Sequence, residues 1–368
     1  MGETKKLLVI KIGTTSLTEK NGDISQPKIV ELIRQVADLK DMGHSVVLVS
    51  SGAIAAGFRR LGYKERPHTV AGRQAAAAVG QGLLMEEYTK LLLDRGYVGA
   101  QLLITRFDFS DRQRYKNIYQ AIELLLKKGA VPIINENDTV AVEELCFGDN
   151  DRLAAEVAGM VHADLLLLLT DIDGLYTADP QKDPAARPIE LVENIDAEWE
   201  AIAGGSGSRT GTGGMRSKVE AAKVAALAGV PMFICRAGDP DAMVKALHRE
   251  INGTYFKPGE HKLKTRLQWL AFCSASEGNL FIDDGAVTAL EQNGKSLLPS
   301  GIRHISGQFE AGAVVEVKSL DGRYIGKGIC NYSAKELEIL TASMGDRIIA
   351  KEVAIHRNNW VGATKTTV

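Results

Sequence analysis

Short apolar segments alternate with longer amphipathic ones from the start of the chain to about Ala237. The apolar segments, rich in Val, Ile and Leu, predict buried strands at 7–12, 45–49, 98–104, 131–134, 165–170 and 231–236. Helices are predicted where Ile29, Val30, Ile33, Val36 and Leu39 recur at helical spacing, and also at 75–94, 117–127 and 151–160. Apolar strands that alternate with helices are typical of a mainly parallel sheet with helices on both faces.

The pattern changes near Asn252, where the segment INGTYFKPGEHKLKTR is polar and interrupted by Gly and Pro. After it, short strand-like runs are separated by turn dipeptides such as Asp321-Gly322; the runs lie at 279–282, 313–317, 324–329 and 347–355. We therefore expect a three-layer α/β domain at 1–255, a linker at 256–275 and a small β-rich domain at 276–368.

Composition narrows the class of protein. At 368 residues, two domains are the ordinary expectation. The net charge of -2 argues against a chain built mainly to bind nucleic acid or an anionic membrane. No apolar run reaches the roughly 18 residues that a membrane helix needs. The four Cys form no C-x-x-C pair and the seven His show no zinc-like spacing, so we expect a reduced, cytoplasmic protein with no metal site of its own.

Polar residues that follow the predicted strands are the candidate ligand contacts, because parallel sheets bind ligands beyond the carboxyl ends of their strands. Lys11 lies inside the first apolar strand, where burial requires an opposite charge; the alternative is a lysine that reaches solvent at a sheet edge. Ser51 and Gly52 begin a turn of small residues after the second strand. That turn offers backbone N–H groups to an anion, although a tight turn selected for packing would look the same.

An acidic and amide-rich region follows the strand at 131–134. It contains Asn135 and Asp138 and, after a polar loop, Asn150 and Asp151 at the start of a predicted helix. These side chains could hold an ammonium group, a magnesium ion or a catalytic lysine. The alternatives are turn chemistry for the first pair and helix capping for the second. Thr170 and Asp171 follow the strand of five leucines, where an adenine or ribose contact is expected.

The glycine-rich segment 204–218, GGSGSRTGTGGMRSK, predicts a phosphate-binding loop. Six of its first eleven residues are glycine, and a helical pattern begins at Met215, which places Lys218 in the first turn. The alternative is a flexible linker. The chain has no Walker motif, no kinase G-x-G-x-x-G loop and no evident Ser/His/Asp arrangement. The chain does have two candidate lysines, two anion-binding loops and an acidic region. Phosphoryl transfer that is catalysed by positioning and charge requires these parts.

Several motifs together resemble those of a known family: VIKIGTTSLT, VSSGAIAAG, VPIINENDTV, GDNDRLAAEVA, LLLLTDIDGLYTADP and GTGGMRSK. On these the chain resembles the amino-acid kinase superfamily, and within it the glutamate 5-kinase family. The segments IDDGAVTALEQNGKSLLPSGI and DGRYIGKGICNY resemble the PUA domain that many bacterial members carry. The resemblance implies the amino-acid kinase fold followed by a PUA-like domain.

The resemblance also implies an activity: transfer of the γ-phosphoryl group of ATP to the side-chain carboxylate of L-glutamate, the first step of proline biosynthesis. Magnesium is implied as a cofactor carried by ATP. By the same resemblance, Lys11 and Lys218 contact the transferring phosphoryl and the nucleotide phosphates. Asp151 matches the aspartate that holds the two lysines in place.

Binding residues are implied in the same way. The glutamate contacts are Ser51, Asp138 and Asn150, with Asn135 and Gly52 nearby. The nucleotide contacts are Lys11, Thr170, Asp171, Thr212, Gly213, Gly214, Met215, Arg216, Ser217 and Lys218. The chain departs from the family pattern at Arg216 and Ser217, where a small polar residue and a threonine are usual; we expect Arg216 to be a solvated side chain.

Partners and alternatives complete the sequence-based expectations. The resemblance implies a homo-oligomer (dimer or tetramer), proline as feedback inhibitor and a glutamyl phosphate reductase as a possible partner. One alternative is a sibling kinase that acts on aspartate or N-acetylglutamate. Another is an RNA-binding protein that uses the PUA domain. Residues 261–368 hold 13 Lys and Arg against 11 Asp and Glu, a weaker basic excess than RNA-binding modules usually show, so RNA is not expected as a partner.

Overall fold

The structure is a computed structural model, and it describes residues 4–19, 21–141, 150–178, 183–195, 199, 214–259, 265–342 and 353–363. The chain divides into two compact units. The first consists of residues 1–109 and 113–262, and the second of residues 110–112 and 263–368. Among the described residues, no helix is both long enough and apolar enough to span a membrane.

The first unit is built on one large sheet. Its strands are β1 (Leu7–Ile12), β2 (Ser45–Val49), β3 (Gly99–Ile104), β4 (Val131–Glu136), β5 (Leu165–Thr170), β8 (Leu191–Val192), β9 (Met232–Arg236) and β10 (Gly253–Phe256). Their order within the described residues is β3-β4-β2-β1-β5-β9-β10-β8. All neighbouring pairs from β3 to β9 are parallel, as the continuous apolar segments predicted. The fold class expected from the sequence is confirmed.

One edge of this sheet differs from the prediction. Strand β10 runs antiparallel to β9, and it lies in the segment that the sequence analysis interpreted as the start of an interdomain boundary. The strand is only four residues long and is followed by Lys257 and Pro258, so its local pattern resembles a loop. Strands β6 (Leu175–Tyr176) and β7 (Pro188–Ile189) form a separate antiparallel pair, which is hydrogen-bonded to the large sheet through the hydroxyl of Thr254 in β10.

Helices of the first unit lie at α1 (Gln26–Asp41), α2 (Ala53–Gly57), α3 (Val70–Asp94), α4 (Arg106–Ser110), α5 (Arg112–Lys127), α6 (Asn150–Met160), α7 (Met215–Leu227) and α8 (Ala242–His248). Helices α1, α2, α3 and α8 share one apolar core with alternate residues of β1, including Leu8 and Ile10. Helices α6 and α7 pack against each other, and α6 also contacts β1 and β5. The resulting layers place the first turns of α6 and α7 beside the central strands.

Helices α2 and α3 approach each other at two glycines. A Cβ atom added at Gly57 would lie 2.0 Å from the carbonyl oxygen of Ala76, and one added at Gly80 would lie 1.8 Å from that of Ala53. Real Cβ atoms do not approach other atoms this closely, so only glycine fits at either position. The two helices therefore touch through their backbones.

The second unit contains a five-stranded sheet. Its strands are β11 (Gly278–Ile282), β12 (Ile302–Ser306), β13 (Val314–Ser319), β14 (Tyr324–Cys330) and β15 (Ile355–Gly362), in the order β12-β11-β13-β14-β15. Its helices are α9 (Thr265–Gln268), α10 (Asp284–Glu291) and α11 (Ala334–Ala342), and a π-helical turn spans Trp269–Cys273. Three of the four strands predicted here are present. Most of the fourth, at 347–355, lies outside the described residues, and β12 was not predicted.

Candidate active site

Two buried lysines share one aspartate at the carboxyl end of the large sheet. Lys11 is the fifth residue of β1, where it pairs with Val49 of β2 and Leu168 of β5. Its Nζ lies 2.6 Å from Oδ1 of Asp151, in the first turn of α6. The Nζ of Lys218, in the first turn of α7, lies 3.2 Å from Oδ2 of the same carboxylate. The helix start and the position of Lys218 agree with the prediction from the glycine-rich segment.

All three charged groups are withdrawn from solvent. Lys11 and Lys218 are each 6% exposed, and Asp151 is 1% exposed. Burial acts to raise the pKa of the Asp151 carboxyl, but the ammonium groups of Lys11 and Lys218 outweigh it and hold that pKa below its ordinary value. Asp151 is therefore ionised at neutral pH. Because one carboxylate faces two ammonium groups, the group of three carries a net positive charge that suits an anion.

The predicted nucleotide contacts lie at the same end of the sheet, as far as they are described. Gly214 caps α7, and the hydroxyl of Ser217 lies 3.2 Å from Oδ2 of Asp151 and 2.7 Å from the carbonyl oxygen of Gly214. Met215 is the first residue of α7. Thr170 ends β5, and its Oγ1 accepts the backbone N–H of Ile172. Asp171, the residue after Thr170, is exposed. Thr212 and Gly213 lie outside the described residues.

Arg216 lies at the surface of α7. Its side chain is 81% exposed, and its guanidinium donates to Glu220 one turn further along α7, at 3.0 Å. This is the solvated side chain that the sequence analysis expected. The serine at position 217 keeps the hydroxyl of the threonine expected there, and this hydroxyl reaches Asp151.

A polar cleft lies beside the ends of β2 and β4. Its described lining includes Ser51, Gly52, Asn135, Asp138 and Asn150, five residues that the sequence analysis placed around the substrate. Gly52 adopts a left-handed conformation, with φ of 92°, which lets the chain turn from β2 into α2. The cavity in the cleft has a volume of about 100 Å³ and opens to solvent, so its size suits a small ligand and not a macromolecule.

The charges in this cleft are of both signs. Burial raises the pKa of the Asp138 carboxyl above its ordinary value, while the positive charges of Arg66 and Arg73 act in the opposite direction. Arg66 and Glu136 also line the cleft. The cleft therefore presents an acidic group and a basic group to the same ligand, which is the arrangement that a zwitterion requires.

A chain of side-chain amides supports the floor of the cleft. Nδ2 of Asn150 lies 2.8 Å from Oδ1 of Asn135, and Nδ2 of Asn135 lies 2.8 Å from Oε1 of Gln81 in α3. The Asn150 amide also reaches Oγ of Ser51, at 3.2 Å. Gln81, Arg66 and Glu136 were all missed by sequence reasoning. Glu136 lies between Asn135 and Asp138, just after the strand predicted at 131–134, and could have been included. Gln81 lies in a helix and Arg66 in a loop, and neither belongs to a motif.

The described donor atoms do not form a metal site. The described residues contain no group of three or more His, Cys, Asp or Glu side chains that could hold a metal ion. Both oxygens of Asp151 already face ammonium groups.

Comparisons with known proteins agree with this architecture. The model of the amino acid kinase family matches residues 6–236, and that of the PUA domain matches residues 278–351. The chain belongs to the amino acid kinase family. A solved structure of carbamate kinase from Giardia lamblia bound to AMP-PNP aligns with a TM-score of 0.51 at 19% identity, covering 69% of this chain and 98% of that one. That likeness shows the shared fold alone.

Relatives that match nearly the whole chain show to which family of amino acid kinases it belongs. The chain is 49% identical over 360 residues to "Glutamate 5-kinase" of Streptococcus pneumoniae (strain Hungary19A-6), covering 98% of this chain and 96% of the relative. It is equally similar to that of Streptococcus sanguinis (strain SK36), and 48% identical to that of Streptococcus suis (strain 05ZYH33), covering 97% of this chain and 99% of the relative. Within the amino acid kinases, the chain belongs to the glutamate 5-kinase family. The sibling kinases and the RNA-binding scaffold are not favoured.

Proposed function

We propose that this protein transfers the γ-phosphoryl group of ATP to the side-chain carboxylate of L-glutamate, which forms L-glutamyl 5-phosphate and begins proline biosynthesis. The observation that carries the proposal is the buried bridge of Lys11, Asp151 and Lys218 at the sheet end that also holds the polar cleft. This arrangement offers fixed positive charge where a phosphoryl group would develop negative charge.

The reaction needs no general base from the protein. A glutamate side-chain carboxylate is already ionised at neutral pH, so its oxygen attacks the γ-phosphorus directly while the bond to the β-phosphate oxygen breaks and ADP leaves. Lys11 and Lys218 neutralise charge on the transferring oxygens. Asp151 cannot serve as a base while it faces both ammonium groups; it holds them in place.

We assign the cleft to the amino-acid end of the substrate. The Asp138 carboxylate would bind the α-ammonium group, together with Ser51 and the Asn150 amide. Arg66 supplies the positive charge for the α-carboxylate, because it lines the same cleft and acts electrostatically on Asp138. Thr170, Asp171 and the segment from Thr212 to Lys218 would contact the nucleotide.

We propose magnesium as the cation, entering as part of the MgATP substrate. A cation of that kind bridges phosphate oxygens and neutralises their charge during transfer. The described residues support this division, because Asp151 is committed to the lysines and no acidic cluster stands beside them. No protein-held metal is needed for the roles assigned above.

Three further proposals follow from the family. The chain would form a dimer or tetramer; the edge strand β3 exposes Leu103, and Val98 and Leu124 are also exposed. Proline would inhibit it, and a glutamyl phosphate reductase would accept its product.

We also keep as proposals a cytoplasmic location and the division of the chain into a kinase domain at 1–255, a linker at 256–275 and a PUA-like domain at 276–368. The described cysteines are free thiols, which supports that location.

The proposed reaction is tested by trapping the acyl phosphate. The full chain is incubated with MgATP, hydroxylamine and one of L-glutamate, L-aspartate or N-acetyl-L-glutamate, and the hydroxamate is measured. We expect a hydroxamate with L-glutamate. Aspartate is one methylene shorter, and N-acetylation removes the ammonium that Asp138 would bind. A hydroxamate formed preferentially with either of these, or none with glutamate from folded protein that binds ATP, would refute the proposal.

A further inference from the structure

We propose that Gln81 of α3 is a positioning residue for the substrate. Acting through Asn135, it fixes the amide of Asn150 so that the carbonyl oxygen of Asn150 is presented to the α-ammonium group in the cleft. This inference rests on the proposed function, because it takes an amino acid as the ligand of the cleft. It adds a residue that lies outside the cleft lining and has no motif of its own.

The orientation of the Asn135 amide is determined by the backbone. The atom of Asn135 that lies 2.9 Å from the backbone N–H of Glu136 must be the oxygen Oδ1, because a backbone N–H can only donate. The amide nitrogen Nδ2 then points the other way, to Gln81 at 2.8 Å. Gln81 must therefore present its own oxygen, Oε1, as the acceptor.

A second backbone group determines the orientation of the Asn150 amide. Nδ2 of Asn150 lies 2.6 Å from the carbonyl oxygen of Ser50, which can only accept. The same nitrogen faces Oδ1 of Asn135 and Oγ of Ser51. Its two hydrogens are thus engaged within the protein, and the oxygen Oδ1 is the amide atom left for a ligand. A carbonyl oxygen accepts hydrogen bonds, so it favours a ligand group that donates them. The ammonium group of an amino acid is such a group.

Gln81 matters because, among the described residues, it is the side chain that accepts from the amide nitrogen of Asn135. Asn135 is 2% exposed, so water does not replace the acceptor that Gln81 supplies. Turning the Asn135 amide over would direct its NH₂ group at two other donors, the backbone N–H of Glu136 and the amide nitrogen of Asn150. Loss of the Gln81 oxygen therefore disturbs Asn150, whichever way Asn135 responds.

The position of Gln81 is itself fixed. Its neighbour Gly80 is the residue through which α3 touches the backbone of α2. Helix α3 therefore cannot move closer to α2, the helix that follows Ser51 and Gly52. A backbone contact next to Gln81 supports its role as a positioning residue.

Two substitutions of Gln81 distinguish the effect of its acceptor oxygen from the effect of the length of its side chain. Gln81→Met keeps the length and removes the acceptor, whereas Gln81→Glu keeps an acceptor oxygen. A matched control is Gln26→Met. The Gln26 amide also hydrogen-bonds to a side chain of another element, because it donates to Glu87 of α3 at 2.7 Å, but Gln26 is exposed and does not line the cleft. Each full-length variant is assayed for kcat, KM for glutamate, KM for ATP and melting temperature.

We expect Gln81→Met to raise KM for glutamate about tenfold, the cost of one unsatisfied buried amide, with kcat and KM for ATP within about twofold of the parent. Gln81→Glu and Gln26→Met should stay within about twofold in all three constants. A Gln81→Glu variant as impaired as Gln81→Met would overturn the proposal, as would equal losses in kcat and both KM values.

Glutarate provides a readout that a merely structural role would not change. It has both carboxylates of glutamate and lacks the ammonium, so its Ki as a competitive inhibitor does not depend on the Asn150 oxygen. We expect Gln81→Met to leave that Ki within about twofold while KM for glutamate rises about tenfold. A parallel rise in both constants would overturn the proposal. Inactivity of the parent protein toward glutamate would instead refute the proposed function.

Discussion

The proposed phosphoryl end of the site and its proposed amino-acid end are assembled from different side chains. Lys11, Asp151 and Lys218 form the first, and each of them carries a charge and is nearly inaccessible to solvent. The second is framed by neutral amides, with Glu136, Asp138 and Arg66 as its acidic and basic members. Asn150 and Asp151 are adjacent in α6, so one helix start contributes to both ends.

The difference reflects what each end must distinguish. Charge on a transferring phosphoryl group is large and spread over several oxygens, so two fixed cations stabilise it without needing one particular hydrogen-bond direction. An amino acid must be distinguished from molecules of similar size. Directional donors and acceptors do this, because a buried amide left without its partner is costly. Substitutions at the two ends should therefore affect different kinetic constants.

The largest effect is expected at the phosphoryl end. Lys218→Met removes one of the two cations and should lower kcat by about a hundredfold to a thousandfold, with a much smaller change in KM for glutamate. Lys223→Met is the matched control, since Lys223 lies in the same helix and is only partly buried. Steady-state kinetics of hydroxamate formation measure kcat and KM for both variants. Unchanged turnover in Lys218→Met would remove this lysine from the mechanism.

At the amino-acid end, Asp138→Asn should act mainly on binding. We expect KM for glutamate to rise by about tenfold to a hundredfold with little change in kcat, because the carboxylate holds a group remote from the reacting oxygen. If kcat alone fell, Asp138 would belong to the phosphoryl end instead.

The same carboxyl predicts a pH dependence. Burial raises the pKa of Asp138, and only its ionised form attracts the ammonium group. As pH falls through that raised pKa, KM for glutamate should rise, and the rise should begin at a higher pH than an ordinary aspartate would give. A profile of KM against pH measures this directly. In Asp138→Asn the profile should be flat over the same interval.

A smaller effect is expected at Arg66. Arg66→Met should raise KM for glutamate about fivefold to tenfold, since the side chain is exposed and its charge is partly screened. Glutamate α-amide, which lacks the α-carboxylate charge, should be affected about twofold at most. Arg73→Met serves as the control because Arg73 acts on Asp138 without lining the cleft. Arg66 would not contact the α-carboxylate if Arg66→Met raised KM equally for glutamate and for its α-amide. The same conclusion would hold if Arg73→Met raised KM for glutamate as much as Arg66→Met.

The central part of the fold was predictable because its strands are buried on both faces. Strand β5 consists of five leucines and a threonine, and β1 is apolar except for Lys11, so neither is compatible with a half-exposed position. Lys11 was identified as a site residue by the same reasoning, since a lysine in such a strand must meet a charge. The structure provides that charge in Asp151.

Other features lacked a local signal. Strands β8 and β10 are two and four residues long, and their pairing depends on partners distant in sequence. Gln81 occupies an ordinary helical position, and nothing in the residues around it indicates that its partner is Asn135, 54 positions away. Arg66 is one of several charges in a loop. Such roles arise from tertiary contacts, which periodicity and motif spacing do not report.

The glycine contact between α2 and α3 has a consequence for how this family can diverge. Gly57 and Gly80 set the separation of the two helices by the thickness of the bare backbone, and any larger residue would have to displace one helix. Substrate preference cannot therefore be adjusted in small steps at these two positions. Under the proposed assignment, Arg66 allows such adjustment, because its exposed side chain lies in a loop and lines the cleft. New specificities in this fold should accordingly arise in that loop and leave the glycine pair intact.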